Sequence, residues 1–128
     1  MNFVLDASVT MAWLLADAKP TDKRYAASVL ASLAENDIAA GVPVTWGLEI
    51  ANVVSRGEAR GLVTEAQSEA FLEMLAGIRI NPDPATFPRA LVETLSLARR
   101  YRLSSYDASY LELALRLDCR WPLSIVIC

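Results

Sequence analysis

With no histidine anywhere in the chain, acid–base or metal chemistry falls mainly to carboxylates, and three of them stand in unusual company. Asp6 closes a short apolar run, Asn2-Phe3-Val4-Leu5, and Ala7-Ser8 then opens a helix. A carboxylate at the C-terminal end of the first strand of an α/β chain points into the crevice where such folds bind ligands. The same residue is also a good helix N-cap. Glu49 sits within an apolar helical stretch, and its neighbours at three and four positions, Thr45, Trp46, Asn52 and Val53, supply no basic partner. A buried, unpaired carboxylate is costly and has a raised pKa. Either its face is open to water or something cationic sits opposite. Asp107 follows Ser104-Ser105-Tyr106 with the spacing of a capping box, where a first-turn carboxylate suits the helix dipole. The apolar helix start after it places Asp107 close to the packed interior.

Brought together, these acids cannot all ionise unless a cation joins them. Hard oxygen donors select Mg²⁺ or Mn²⁺, with waters kept in the shell. Such an ion activates water and stabilises phosphoryl oxygens in an in-line displacement. Spacing alone supports this only weakly, so the elements that must position the acids matter.

Those elements alternate. The pattern predicts a strand over Asn2–Leu5, a helix over Ser8–Ala16 with Val9, Trp13 and Ala16 on one stripe, and a helix capped by Asp22 through about Glu35. A strand and turn follow in Ile38–Val44. A helix over Thr45–Arg60 turns Trp46, Ile50, Val53 and Val54 inward and stops at Gly61. Thr64-Glu65-Ala66-Gln67 reads as a capping box for a helix ending near Gly77. Ile78–Ile80 is expected as a strand and Asn81-Pro82-Asp83-Pro84 as a turn. Phe87–Tyr101 reads as a helix with Leu91, Thr94, Leu95 and Ala98 along one side. Ser104–Leu117 is another, with Tyr106, Tyr110, Leu113 and Leu117 at helical spacing, and Leu123–Ile127 is a last strand. Strands separated by helices imply an α/β fold, a parallel sheet flanked by helices on both sides.

The 128 residues fit one domain. A hydrophobic fraction of 54% and a mean hydropathy of +0.30 predict apolar surface set against a partner. The net charge of −3 excludes a global positive field, so nucleic acid would need a local basic patch. Cys119 and Cys128 have neither metal-site spacing nor a disulfide framework, and a reducing cytoplasm is the default expectation. Asp6 interrupts the first apolar run and no basic region precedes it, which argues against a signal peptide. The quiet stretch Ile38–Ser55, with Gly41, Pro43 and Gly47, reads as buried strand plus helix and not as a membrane span.

The segments carrying the acids resemble the PIN-domain ribonucleases, in particular the VapC-type toxins of bacterial toxin–antitoxin pairs. Three stretches carry the resemblance: Val4-Leu5-Asp6-Ala7-Ser8-Val9, Glu49-Ile50-Ala51-Asn52-Val53-Val54, and, most specific, Leu103-Ser104-Ser105-Tyr106-Asp107-Ala108-Ser109-Tyr110-Leu111-Glu112-Leu113-Ala114. Length and element order agree over nearly the whole chain. The resemblance implies Mg²⁺-dependent endonucleolytic cleavage of RNA, with Mn²⁺ as the alternative to Mg²⁺. Asp6 and Asp107 would be direct ligands, Glu49 a ligand or the group that positions the attacking water, and Ser8 a supporting hydroxyl that is also placed to cap the helix. The family's Thr and fourth Asp do not follow Trp121-Pro122-Leu123-Ser124, where Ile125-Val126-Ile127-Cys128 stands instead. The expectation is a single PIN-like domain, truncated or altered after about residue 124, with Asp118 no substitute for the fourth acid. The resemblance also implies a homodimer and a cognate antitoxin lying across the first helices.

Arg99, Arg100 and Arg102, or Lys19, Lys23 and Arg24, could hold phosphates or simply face water. Met11, Trp13, Leu14 and Leu15 crowd the first helix, one stripe for the core and the rest for a partner. The alternative to a toxin nuclease is a catalytically impaired PIN-like module that mainly binds an antitoxin or other protein. A receiver-like or phosphatase-like domain fits less well, because the first strand is not followed by Asp-x-Asp and the later half has no lysine.

Overall fold

The computed structural model describes residues 3–14, 24, 27–28, 30–31, 39–117 and 125–127. Strand β1 (Phe3–Leu5) leads into helix α1 (Ala7–Ala12) and a turn at Trp13 and Leu14, and the described residues 24, 27–28 and 30–31 before strand β2 (Ala40–Pro43) are helical. Helices α2 (Trp46–Ala59) and α3 (Glu65–Ala76) come before strand β3 (Ile80–Asp83). A long helical run then comprises α4 (Thr86–Arg89), a π-helical turn (Ala90–Thr94) and α5 (Leu95–Tyr101). Helix α6 (Ser105–Arg116) and strand β4 (Ile125–Ile127) complete the described chain.

The sheet order is β3-β2-β1-β4. β1, β2 and β3 are parallel, with Phe3 opposite Ala40, Val4 opposite Gly41 and Val42 opposite Pro82. This is the α/β sheet flanked by helices that the alternating pattern implies. β4 differs: it pairs antiparallel to β1, with Val126 opposite Val4. Val4, Leu5, Ala40 and Val42 are buried, and they meet Met11, Trp46, Ile50, Val54, Phe71, Tyr110 and Leu113 in one core. Full burial of a side chain such as Leu5 or Leu113 contributes roughly 1.5–3 kcal/mol.

Local signals placed several elements well. The Thr64 hydroxyl accepts from Gln67 N–H at 3.1 Å and the Gln67 side chain accepts from Thr64 N–H at 2.9 Å, a complete capping box. Gly61, at φ 71°, takes the left-handed conformation just beyond α2 that other residues adopt only at a cost.

Two expectations are corrected. The third strand is not Ile78–Ile80: it spans Ile80–Asp83, and the supposed turn Asn81-Pro82-Asp83 is extended chain. β3 is an edge strand, where proline's missing N–H leaves no central ladder bond unmade. In the long helical run, Thr94 is buried and Leu95 and Ala98 are half-buried, but Leu91 is 82% exposed. The π turn, closed by Leu95 N–H donating to the Ala90 carbonyl, adds a residue to one turn and throws the preceding stripe out of phase.

A buried charge network fixes α6 against β3. The Arg116 guanidinium donates to both oxygens of Asp83, at 3.2 Å to Oδ1, and to both oxygens of Glu112, at 2.9 and 3.1 Å to Oε1 and 3.1 Å to Oε2. Arg89 lies 3.8 Å from Glu112. Asp83 and Glu112 are 3% and 5% exposed, so one arginine answers two buried acids. Burial pushes the Asp83 carboxyl up, but Arg116, Ala85 N–H and the Thr86 hydroxyl together hold it below the usual carboxylate range. The same two acids raise the Arg116 pKa.

Arg116→Met should therefore cost about 3–5 kcal/mol in urea unfolding, since it strands buried carboxylates. A depressed folded pKa gives stability that is present above the ordinary value of 3.8 and lost as pH falls through the folded one. Asp83→Asn should accordingly flatten the acid limb of the stability curve, and an unchanged limb would contradict this account.

Candidate active site

Asp6 leaves β1 and caps α1: its Oδ1 accepts from Ser8 N–H at 2.9 Å. The Ser8 hydroxyl also bonds the Asp6 carboxylate, so Ser8 supports this acid through both main chain and side chain. Capping and proximity to the other acids are thus both true of Asp6. Because β1 and β2 are parallel, the chain leaves both at the same edge of the sheet. Glu49, in the first turn of α2, follows β2 closely and is drawn to that edge.

The question of what faces Glu49 has a neutral answer. The Tyr110 hydroxyl, from α6, donates to Glu49 Oε2. Ala7 N–H lies near the Tyr110 oxygen and acts on it electrostatically. Asp107 lies in the first turn of α6, where its N–H donates to the Ser104 hydroxyl at 3.1 Å. Only half of the capping box forms there. The expectation that Asp107 sits near the packed interior is corrected: residues 108–114 are buried, but Asp107 itself is exposed. The dipole preference turns this first-turn carboxylate toward water while the following turn packs.

The electrostatics join the three acids. Burial raises the Asp6 pKa against the Ser8 bonds, and the charge of Asp107 raises it further. Burial raises that of Glu49, the Tyr110 hydroxyl works against it, and the charges of Asp6 and Asp107 add to the rise. Burial, then the bond to Glu49, pushes the Tyr110 phenol up, so it remains a donor. Among the described residues, no basic side chain figures in the influences on Asp6 or Glu49. Three carboxylates, two of them made costlier to ionise by the charge of Asp107 and with no basic side chain among the described residues acting on those two, are the donor set a hard divalent cation fits. As the side chains lie, no three acids, cysteines or histidines among the described residues already enclose an ion. Closing on one requires side-chain movement, and the exposed Asp107 carboxylate accepts no hydrogen bond among the described residues that would resist it.

Residues 3–121 match the PIN domain family. The chain belongs to that family. PIN domains are typically metal-dependent nucleases and generally use divalent ions, which gives this PIN domain a nuclease-type function at that level. None of the curated proteins compared matches it.

Around the site, Arg24, Arg99, Arg100 and Arg102 are exposed, and Lys19 and Lys23 lie outside the described residues. So do Leu15, Asp118, Cys119, residues 121–124 and Cys128. Met11 is buried, and Trp13 and Leu14 pack half-buried on the core, so this part of the first helix serves the interior. Among the described residues no helix is long and apolar enough to cross a membrane. Sequence reasoning placed Tyr110 on a helical stripe but missed its hydroxyl bond. Its position one turn after Asp107 on the same helix was the available signal.

Asp6 and Glu49 have raised folded pKa values, so their contribution to stability is full below 3.8 and 4.5 respectively and lost as pH rises through the folded values. In EDTA at neutral pH, Asp6→Asn should raise the melting temperature, because asparagine keeps the cap and removes a buried charge. Asp6→Ala, which loses the cap, should gain less or be destabilised.

Proposed function

We propose that this PIN domain is a Mg²⁺- or Mn²⁺-dependent endoribonuclease, the toxin of a type II toxin–antitoxin module. The observation that carries the metal-dependent chemistry is that carboxylates from three separate elements converge: the charge of Asp107 makes Asp6 and Glu49 costlier to ionise, Asp6 adds to the cost at Glu49, and no basic side chain among the described residues acts on either. Asp6 and Asp107 would hold the ion directly, and Glu49 would hold it or orient the attacking water. When bound, the ion supplies an activated water and charge stabilisation at the phosphoryl oxygens. Ser8 keeps the Asp6 carboxylate in place through its N–H and hydroxyl. Arg99, Arg100 and Arg102, just ahead of α6, are exposed and suited to RNA phosphates.

The toxin role, a homodimer and a cognate antitoxin rest on the resemblance of the acid-bearing segments to VapC-type toxins. Exposed apolar side chains add support for a protein contact. Phe87 and Leu91 are 84% and 82% exposed, and the exposed Val92 and Leu115 line a cleft of 540 Å³ beside them. A cytoplasmic location belongs to the same proposal.

A second reading, an impaired module that chiefly binds a protein partner, is favoured by β4. There Ile125-Val126-Ile127 pairs with β1 and brings no further acid to the strand next to Asp6.

RNA cleavage should require Mg²⁺ or Mn²⁺ and stop with EDTA, and Asp6→Asn should abolish both cleavage and growth inhibition on expression. A fully toxic Asp6→Asn chain would sink the catalytic assignment. Calorimetric silence at millimolar Mg²⁺ would favour the binding module.

A further inference from the structure

Among the described residues, Tyr110 is a side chain that links the elements bearing all three acids. It stands on α6, one helical turn beyond Asp107; its hydroxyl donates to Glu49 on α2 and lies close enough to Ala7 N–H, where β1 passes into α1 beside Asp6, to feel it electrostatically. Its ring is 2% exposed and belongs to the core, so packing leaves the hydroxyl little freedom. Glu49 Oε2 is occupied by this bond, and Oε1 accepts no hydrogen bond from any described residue. A glutamate has three side-chain torsions, and outside this bond little here restrains them.

We propose that Tyr110 is a positioning residue for a divalent cation: its hydroxyl pins Glu49 Oε2 and leaves Oε1 as the oxygen presented toward Asp6 and Asp107. This rests on the metal-dependent reading above. The Ser8 N–H anchors Asp6 and Tyr110 anchors Glu49, which leaves Asp107 as the acid that closes on the ion. The neighbouring groups accord with this. A phenol hydroxyl carries a proton at neutral pH and is placed to donate it to Glu49. Phenylalanine would fill the core as well and would bring no buried hydroxyl that has to find a partner.

The test is a Mn²⁺ titration by calorimetry at constant pH of the wild type, Tyr110→Phe, Glu49→Gln and the double variant, each checked for folding by its melting curve. Tyr110→Phe keeps the ring. It should weaken Mn²⁺ binding about ten-fold or more, the usual effect of removing a group that orients a ligand. In the Glu49→Gln background the same change should have no further effect, because Tyr110 acts through Glu49. Tyr110→His, which can still donate from the ring, should recover part of the affinity if it folds.

Wild-type affinity in Tyr110→Phe overturns the inference and leaves the metal reading intact. An equal loss in both backgrounds also overturns it, since Tyr110 would then act by another route. A wild type that takes up no Mn²⁺ overturns the metal reading and this inference with it.

Discussion

The parallel pairing of β1 with β2 is the constraint from which the site follows. Phe3 opposite Ala40 and Val4 opposite Gly41 make both strands run the same way, so both release the chain at one edge of the sheet. Asp6 leaves there directly, and Glu49 follows within the first turn of α2. In an antiparallel pair these acids would emerge at opposite ends. Parallel pairing also demands a long crossover between the strands, which is why acids far apart in sequence share one neighbourhood.

The third acid depends on α6, and two interactions of different kinds hold that helix. At its C-terminal end, Arg116 grips Asp83 of β3 and Glu112 of α6 itself. Toward its N-terminal end, Tyr110 reaches Glu49 and the β1–α1 junction. Asp83 lies at the C-terminal end of β3, on the same side of the sheet as the site, yet Arg116 satisfies it. Among the described residues, no arginine bonds Asp6, Glu49 or Asp107 in this way. Among the described residues, acids neutralised within the fold thus stand apart from Asp6 and Glu49, which neighbouring carboxylates make costlier to ionise. That difference, and not the number of carboxylates, marks the candidate site.

Much of the architecture was legible because it is governed by short-range patterns. The Thr64–Gln67 capping box, the α2 stripe of Trp46, Ile50 and Val54, and Gly61 at the helix stop depend on residues within a few positions of one another. The third strand was placed too early because Pro82 reads as a turn residue until its strand is known to lie at a sheet edge. Leu91 was placed inward because a constant helical period cannot anticipate a π turn. The Asp83–Arg116 pair, which spans 33 residues, carried no local signal apart from the four-residue spacing of Glu112 and Arg116.

By itself, the sequence determined that carboxylates must carry any acid or metal chemistry, that strands alternate with helices, and which three acids stand where a capping or solvated role does not fully account for them. Those are properties of residue type and local periodicity. Tertiary structure alone decided that Glu49 faces a phenol and not a cation, that Asp107 is exposed, that β4 runs antiparallel, and that Asp83 is matched while Asp6 is not. Each of these depends on which distant groups are brought within a few ångströms. Burial and Coulombic interaction act through that distance and not through separation along the chain.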